Sequence, residues 1–148
     1  MSWVRLWVHL VFSTKDKIPF MNSSERRRMI QEHILQNAKD KEIRLDAVNG
    51  FQEHLHCLFT LNKEDSISKV AQLIKGESSF WINKNKIVQG HFGWQDDYWA
   101  VSVSENDVPR VRDYIHSQEE HHRKKSFEEE VEIFLKQYYP SDEADGNR

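Results

Sequence analysis

The stretch from Ile43 to Leu61 constrains the fold more than any other part of the sequence. It contains two runs typical of β-strands, "IRLDAVNGF" and "EHLHCLFTL", which follow one another almost directly. The Asn49-Gly50 dipeptide at the end of the first run is a strong hairpin signal and predicts the turn between them. Strands joined by so short a turn pair antiparallel. We therefore expect a sheet that is largely antiparallel.

The remaining segments predict one further strand at each side of this hairpin, together with several helices. Alternation from Trp3 to Phe12 predicts a first strand, and the aromatic, β-branched stretch 91–104 predicts a last one. Capping residues predict helices over about 22–37 (Asn22 with Glu25), 65–83 (Asp65 or Ser66), 106–122 (Asn106 or Asp107) and 126–138 (Ser126 with Glu129). This order of elements predicts an α+β domain with helices packed on a largely antiparallel sheet.

The length of the chain predicts a single domain over residues 1–140, followed by a frayed acidic tail at 141–148. No apolar stretch is long and uninterrupted enough to cross a membrane, and no signal peptide is visible at the N-terminus. The single cysteine, Cys57, cannot form an internal disulfide, which favours the reducing cytoplasm. We expect a cytoplasmic protein without a membrane partner.

The net charge of −3 argues at first sight against a nucleic-acid partner. The charge is unevenly distributed, however, because positions 126–148 hold seven acidic and only two basic residues. The remaining 125 residues hold 19 basic and 17 acidic side chains, so the body of the protein is mildly basic. This distribution permits a DNA partner without requiring one.

Two histidines, His54 and His56, interrupt the second hairpin strand. Residues two apart in a strand point to the same side, so both imidazoles can converge on one ion. For an isolated His-x-His pair, half-buried histidines hydrogen-bonded to their neighbours are the more frequent explanation. The pair alone is therefore a weak signal for a metal site.

The third predicted helix carries a second unusual pattern. Val108, Val111 and Ile115 form an apolar stripe that continues at helical spacing to Gln118 and His122, both polar. Buried polar groups need partners, so the stripe predicts a polar site beneath the second half of this helix. Tyr114 lies one turn before Gln118 on the flank of the same face. Taken alone, a tyrosine at the rim and a solvated glutamine would explain these two residues equally well.

Five segments, taken in order, resemble one family. They are "HLVFSTKDKIPF", "EHLHCLF", "QLIKGESSFWIN", "GWQDDYWAVSVS" and "VRDYIHSQEEHH". The sequence resembles the single-tyrosine HUH transposases of the insertion sequence 200/605 group, whose HUH motif is two histidines flanking a bulky apolar residue. The group includes transposases associated with repetitive extragenic palindromes (REP). The resemblance extends from about His9 to Phe127.

The resemblance implies a ferredoxin-like HUH endonuclease fold, a homodimer and a set of site residues. It implies that His54, His56 and Gln118 bind a divalent metal, Mg²⁺ or Mn²⁺, although imidazoles by themselves suit zinc, nickel or copper. It also implies that Tyr114 cleaves and rejoins single-stranded DNA beside hairpins through a 5′-phosphotyrosine. The protein link conserves the phosphodiester energy, so no nucleotide cofactor is expected, and the sequence has no Gly-rich phosphate-binding loop.

Contacts to DNA are expected mainly from basic side chains. The candidates are Lys15, Lys75, Ser79, His122, Arg123 and Lys124. Several aromatic residues of 81–99 are candidates to stack on unpaired bases, but strand aromatics are more often core and scattered lysines more often solvated surface. We treat His9 as structural. Two other functions stay open: a domesticated relative that binds DNA or RNA hairpins without cutting them, and a small α+β domain whose histidines only bind zinc.

Overall fold

The computed structural model describes residues 1–118 and 126–138. Contacts within the chain define two compact units, Met1–Gln118 and Glu119–Arg148, and a single domain over residues 1–140 stays a prediction. The strands of the first unit are β1 (Leu6–Ser13), β2 (Arg44–Gly50), β3 (His54–Leu61) and β4 (Trp99–Val103). Its α-helices are α1 (Ser24–Asp40), α2 (Ile67–Lys84) and α3 (Val108–His116), and short 3-10 turns cover Lys15–Lys17 and Glu105–Asp107. The second unit contains helix α4 (Phe127–Tyr138).

The four strands form one sheet in the order β2-β3-β1-β4, and every neighbouring pair is antiparallel. With α1 and α2 as the two connections, the chain order is βαββαβ, the ferredoxin-like arrangement. The prediction of an α+β fold with a largely antiparallel sheet is confirmed. This topology places β1 and β3, the strands that carry histidines, in the middle of the sheet.

The two faces of the sheet have different partners. Val8, Leu10 and Phe12 of β1 join Leu55 and Cys57 of β3 in the hydrophobic core, which α1 and α2 cover. In both strands, the residues between these core positions point to the opposite face of the sheet, because side chains alternate along a strand. Helix α3 packs on that second face, against β2 and β3. One face therefore supplies most of the apolar burial, and the other is available for polar side chains.

The predicted hairpin forms, but its turn lies further along the chain than predicted. Asn49 and Gly50 belong to β2 and pair with His56 and Leu55, so the turn is at residues 51–53. The turn carbonyls of residues 52 and 53 accept hydrogen bonds from Met21 and Thr14, at 3.0 and 2.7 Å. A Cβ at Gly50 would overlap the His54 carbonyl oxygen. The glycine therefore allows a close approach of two backbones and does not form the turn.

The helix starts agree with the prediction to within a residue or two. Ser23, not Asn22, caps α1, since its side chain accepts a hydrogen bond from the Arg26 N–H. Asn22 instead accepts from the Arg26 guanidinium at 2.7 Å. Ser66 caps α2 in the same way through the Lys69 N–H, as predicted.

The last strand is shorter than predicted, because residues 91–98 bond to side chains of α2 and to the backbone at the end of β1, where Gln95 N–H donates to the Ser13 carbonyl and Lys15 N–H donates to the Gly93 carbonyl. The Asn83 amide accepts from the Phe92 N–H at 2.8 Å and donates to the Phe92 carbonyl at 2.9 Å. Lys75 Nζ donates to the carbonyls of Gln95 and Asp96. A single bridge pairs Trp94 with Thr14. With these groups satisfied, only Trp99–Val103 joins the sheet.

Helix α3 is also shorter than predicted. It ends at His116, where the Ser117 N–H bonds to the carbonyls of Asp113 and Tyr114 and its hydroxyl donates to the Asp113 carbonyl. Ser117 thus satisfies the carbonyls that a continuing helix would use. The predicted extension to His122 and the tail at 141–148 lie outside the described residues. In α4, the Ser126 hydroxyl accepts from the Glu129 N–H at 3.2 Å, so the predicted cap is present.

Among the helices that the structure describes, each is too short or too polar to span a bilayer.

Candidate active site

Two polar contacts fix helix α3 against the edge strand β2. Arg112 forms a bidentate ion pair with Asp46, in which Nε donates to Oδ2 at 2.7 Å and Nη2 donates to Oδ1 at 3.2 Å. Hydrogen bonding to Asp46 and its charge raise the pKa of the Arg112 guanidinium. Asn49 Nδ2 donates to the His116 carbonyl oxygen at 3.2 Å. The helix is therefore held both at its middle and at its C-terminal end.

His54 and His56 lie on β3 and point to the sheet face that α3 covers. Both side chains are buried, with 0% and 1% of their surface exposed. Leu55 between them faces the hydrophobic core, so the alternation of the strand directs both imidazoles to the other face. Their ring centroids are 5.1 Å apart, and a nitrogen of each ring lies within 4.8 Å of a nitrogen of the other. The structure therefore brings the two histidines together as predicted.

Tyr114 and Gln118 reach the same two histidines from the end of α3. Gln118 is fully buried, and its Oε1 lies 3.1 Å from His54 Nε2. The Tyr114 ring is half-buried, with its centroid 5.8 Å from that of His56 at an interplanar angle of 75°. Gln118 Nε2 donates to the Tyr114 carbonyl at 3.4 Å, although α3 has already ended. Four side chains, two from β3, one from α3 and one just after α3, thus form a single cluster, the His-Tyr-Gln cluster.

The donor set of this cluster fits a divalent cation. Neutral imidazoles and a carboxamide oxygen are common metal ligands, and all three side chains are buried and lie close together. The 3.1 Å between His54 Nε2 and Gln118 Oε1 is a hydrogen-bond distance, and it is also close to the roughly 3 Å between adjacent ligands of an octahedral ion such as Mg²⁺. A pair of histidines with one oxygen ligand leaves further coordination positions for a substrate.

Each histidine of the pair has a second contact through its other ring nitrogen. His54 Nδ1 lies 2.7 Å from Glu53 Oε1. His56 Nδ1 lies 2.8 Å from Nε2 of His9, which is fully buried on the neighbouring strand β1. The two imidazoles of this second contact are stacked, with centroids 5.0 Å apart and planes inclined by 30°. Each histidine of the pair is therefore held through its Nδ1, and in His54 the other ring nitrogen is the one that faces Gln118.

Three of the residues predicted to contact DNA are described by the structure, and they lie apart from this cluster. Lys15 is exposed in the first 3-10 turn. Lys75 lies on α2, its amine is bonded to the backbone of residues 95 and 96, and partial burial lowers its pKa. The hydroxyl of Ser79, on the same helix, donates to the Gly76 carbonyl. The remaining three candidates, His122, Arg123 and Lys124, lie outside the described residues.

An open groove separates α2 from the 91–98 segment and has a volume of about 520 Å³. Phe80 and Tyr98, which line it, are 65% and 40% exposed. A lysine amine stands near the face of each ring: Lys84 is 5.8 Å from the Phe80 centroid and Lys75 is 5.9 Å from that of Tyr98. Exposed aromatic rings beside cations are typical of surfaces that bind unpaired nucleotides. Since α2 covers the core face of the sheet, this groove is not part of the His-Tyr-Gln cluster.

Sequence reasoning missed two features of these sites. It treated His9 as structural, whereas the antiparallel register places His9 beside the histidine pair. A third histidine at a buried strand position was the available signal. It also omitted Phe80, because one exposed aromatic residue in a helix is not recognisable from periodicity. Phe92 and Trp94, candidates for base stacking, are buried in the core at 1% and 8% exposure.

Comparison with solved structures shows which proteins share this fold. A protein from Deinococcus radiodurans R1 that is assigned as a transposase is 20% identical, with a TM-score of 0.63 over 79% of this chain and 93% of its own. A REP-associated tyrosine transposase bound to a REP hairpin is 18% identical, with a TM-score of 0.57 over 79% of this chain and 68% of its own. No curated protein sequence matches significantly. The α+β fold described above is thus also found in transposases.

The family itself is shown by sequence. The family model described as IS200-like transposase matches residues 2–118, which include the whole described part of the first unit except Met1. The chain belongs to the IS200-like transposase family. Membership assigns it to the enzymes that cleave DNA, and it confirms the resemblance inferred from the sequence motifs.

Proposed function

We propose that this protein is a metal-dependent transposase that cleaves and rejoins single-stranded DNA next to hairpins through a 5′-phosphotyrosine intermediate. One observation carries the proposal: a tyrosine, two histidines and a glutamine that are distant in sequence meet on one face of the sheet, as the His-Tyr-Gln cluster. A buried group of this kind has no role in the hydrophobic core, which lies on the other face. Its components match a nucleophile next to a cation site.

In this proposal Tyr114 is the nucleophile. Its phenolic oxygen attacks the scissile phosphorus, the bond from phosphorus to the 3′ oxygen breaks, and a proton ends on the released 3′-hydroxyl as the phenol loses its own. The 5′ end stays bonded to the tyrosine, so a second 3′-hydroxyl can attack the same phosphorus and restore both a DNA strand and the free phenol. Phenols have a pKa of about 10 and are weak nucleophiles at neutral pH, so positioning and a nearby positive charge have to assist.

His54, His56 and Gln118 would hold a divalent cation, Mg²⁺ or Mn²⁺. When bound, the cation polarises the phosphate and stabilises the leaving 3′ oxygen. All three ligands are neutral, so none of them cancels its charge. Gln118 has a further role, because it contacts both His54 and the backbone of Tyr114 and so ties the nucleophile to the cation site.

We infer the substrate class and the assembly from the resemblance to this family. The REP-associated relative was solved with a hairpin, which supports single-stranded DNA with hairpin ends as the substrate class. The groove beside α2, together with Lys15, Lys75 and Ser79, and the candidates His122, Arg123 and Lys124, would bind the phosphates and bases. A homodimer would provide two active sites for the two ends of an element, and the reaction would take place in the bacterial cytoplasm without a nucleotide cofactor.

The decisive experiment measures covalent attachment. Pure protein is mixed with a 5′-labelled and, separately, a 3′-labelled hairpin oligonucleotide in Mn²⁺ or Mg²⁺, and the products are separated under denaturing conditions. We expect an adduct that carries only the 3′-side fragment, linked through its 5′ phosphate. Tyr114→Phe should abolish the adduct while hairpin binding stays within about twofold, since only the phenolic oxygen is removed.

Tyr138→Phe is the matched control and should form the adduct as the wild type does. An adduct that persists in Tyr114→Phe would contradict the assignment of the nucleophile. If the wild type binds the hairpin tightly but forms no adduct with either metal, the protein is a hairpin-binding relative. If it binds zinc but no hairpin even at low salt, the zinc-binding alternative is correct.

A further inference from the structure

The two candidate metal-binding histidines share one arrangement of their ring nitrogens. In His54, Nε2 is directed toward Gln118 and Nδ1 lies against the Glu53 carboxylate. In His56, Nδ1 lies against His9, which leaves Nε2 as the nitrogen for an ion. A neutral imidazole carries its hydrogen on one nitrogen and a lone pair on the other. The partner of Nδ1 therefore decides whether Nε2 has a lone pair for a metal.

The contact with Glu53 determines the tautomer of His54. An ionised carboxylate can only accept hydrogen bonds, so at 2.7 Å the hydrogen must be on Nδ1 of His54. Glu53 is the last residue of the hairpin turn, and its own carbonyl accepts the Thr14 N–H at 2.7 Å. Its side chain is 20% exposed, whereas that of His54 is fully buried. The carboxylate is thus anchored through its backbone, directly next to the ring that it orients.

His9 is placed with equal precision on the other side. It belongs to the central strand β1 and pairs with Leu58 of β3 and Val101 of β4, so its backbone is fixed from both sides. The edge of the Trp99 ring packs against the imidazole at a centroid distance of 5.4 Å and an angle of 90°. Full burial leaves the imidazole little room to rotate. Its Nε2 can therefore serve as a fixed acceptor for the Nδ1–H of His56.

We propose that Glu53 and His9 are positioning residues, each of which accepts the Nδ1–H of one histidine and so keeps its Nε2 available for the cation. This inference rests on the proposed metal site and extends it to two residues that do not touch the ion. Partners of this kind fix ring orientation and raise ligand basicity, and their loss typically weakens metal affinity about 10- to 100-fold. Glu53 and His9 do so by different chemistry, a carboxylate for one ligand and a neutral imidazole for the other.

The first test reads the tautomers directly in metal-free protein. Two-bond ¹H–¹⁵N correlation spectra of histidine-labelled protein distinguish Nδ1–H from Nε2–H rings, and single histidine substitutions assign the signals. We expect Nδ1–H for both His54 and His56 in the wild type. An Nε2–H ring at His56 in the folded wild type would overturn the role of His9, whether or not the protein forms a DNA adduct.

The second test compares the Mn²⁺ affinity of variants in titrations that are monitored by calorimetry and by the electron paramagnetic resonance signal of free Mn²⁺. Glu53→Ala and His9→Leu should each weaken Mn²⁺ binding about 10- to 100-fold. Glu53→Gln and His9→Gln retain a carbonyl acceptor and should recover most of the affinity. Glu77→Ala is the matched control, because it removes a similar carboxylate contact, 2.9 Å from His33, at a distance from the site.

The outcomes separate this inference from the proposed function. Glu53→Ala is made at a partly exposed position and should fold even if His9→Leu does not. Unchanged Mn²⁺ affinity and an unchanged His54 ring in folded Glu53→Ala would refute the positioning role. A wild type that shows both Nδ1–H rings but forms no adduct, together with variants that lose Mn²⁺ affinity as expected, would refute the cleavage activity and support the positioning residues.

Discussion

The attachment of helix α3 to the sheet can be tested through one ion pair, Arg112 with Asp46. The two hydrogen bonds of the pair are 2.7 and 3.2 Å long, and the side chains of Arg112 and Asp46 are 39% and 28% exposed. Exposed pairs contribute about 0.2 to 1 kcal/mol, and a bidentate, partly buried geometry favours the upper end of that range. We therefore expect a coupling free energy of about 1 kcal/mol between these two residues.

The assay is a double-mutant cycle of urea unfolding with Asp46→Asn, Arg112→Gln and the double variant. The coupling of about 1 kcal/mol corresponds to a loss of about 4 °C in the thermal midpoint of the single variants. The coupling free energy should decrease in 1 M NaCl, because salt screens the partly exposed charges of the pair. If α3 must stay docked for Tyr114 to react, the same free energy lowers the docked fraction by up to about fivefold and slows adduct formation accordingly.

The matched control is the pair Arg110–Asp107, which joins the first turn of α3 to the residue before the helix and not to the sheet. Its atoms are 3.3 Å apart and its side chains are 57% and 43% exposed. We expect its coupling to be a few tenths of a kcal/mol and adduct formation to be unaffected. A coupling for Arg112 that is no larger than that of Arg110 would refute the idea that this ion pair fixes the position of the helix.

Two further predictions concern other parts of the first unit. Phe80→Ala should weaken binding of an unpaired oligonucleotide by about 1 to 3 kcal/mol, measured by fluorescence anisotropy at low salt. Met29→Ala changes a residue that is also on a helix surface but outside the groove, and it should not weaken binding. Equal effects of the two substitutions would exclude the groove as a DNA site. Burial raises the pKa of the Cys57 thiol from 9.0 to about 12. At pH 8, iodoacetamide should therefore modify Cys57 far more slowly in the native protein than in the urea-unfolded protein. Equally fast alkylation of both would contradict the burial.

Much of the fold could be predicted from local patterns. Alternation in β1, the strand-like run of β3, and a cap at Asp65 or Ser66 predicted elements that the structure contains, since each pattern depends only on neighbours in sequence. The Asn49-Gly50 turn was misplaced for a tertiary reason: the backbone of residues 52 and 53 accepts hydrogen bonds from the loop after β1, so the turn forms where those donors are. The stretch 91–98 was predicted as part of the last strand, but Asn83 and Lys75 bond to the backbone of residues 92, 95 and 96, and Gly93 and Gln95 bond to the backbone near the end of β1.

In the candidate site, too, local sequence patterns predicted some residues, and tertiary structure determined others. Gln118 interrupts an apolar stripe, and His54 and His56 interrupt a buried strand, so their unusual positions were visible in the sequence and their proximity is confirmed. Their roles as ligands, and that of Tyr114 as nucleophile, stay predictions. The burial of His9 in a strand was visible in the sequence, but its proximity to the site depends on the register between β1 and β3, which pairs His9 with Leu58. Register between strands separated by some forty residues is not encoded in either strand alone.

The strand that carries both histidines has a mechanical consequence. In β3, core residues alternate with site residues, so His54 and His56 cannot shift without pulling Leu55 and Cys57 out of the interior. Helix α3 is bound less firmly, by side-chain contacts on one surface. In the proposed mechanism, any change in the distance between the Tyr114 phenol and the two imidazoles therefore has to come from movement of helix α3 relative to β3. Selection for faster or slower turnover would accordingly act on the few residues that hold α3 against β2, such as Arg112, Asp46 and Asn49, and would leave the two histidines unchanged.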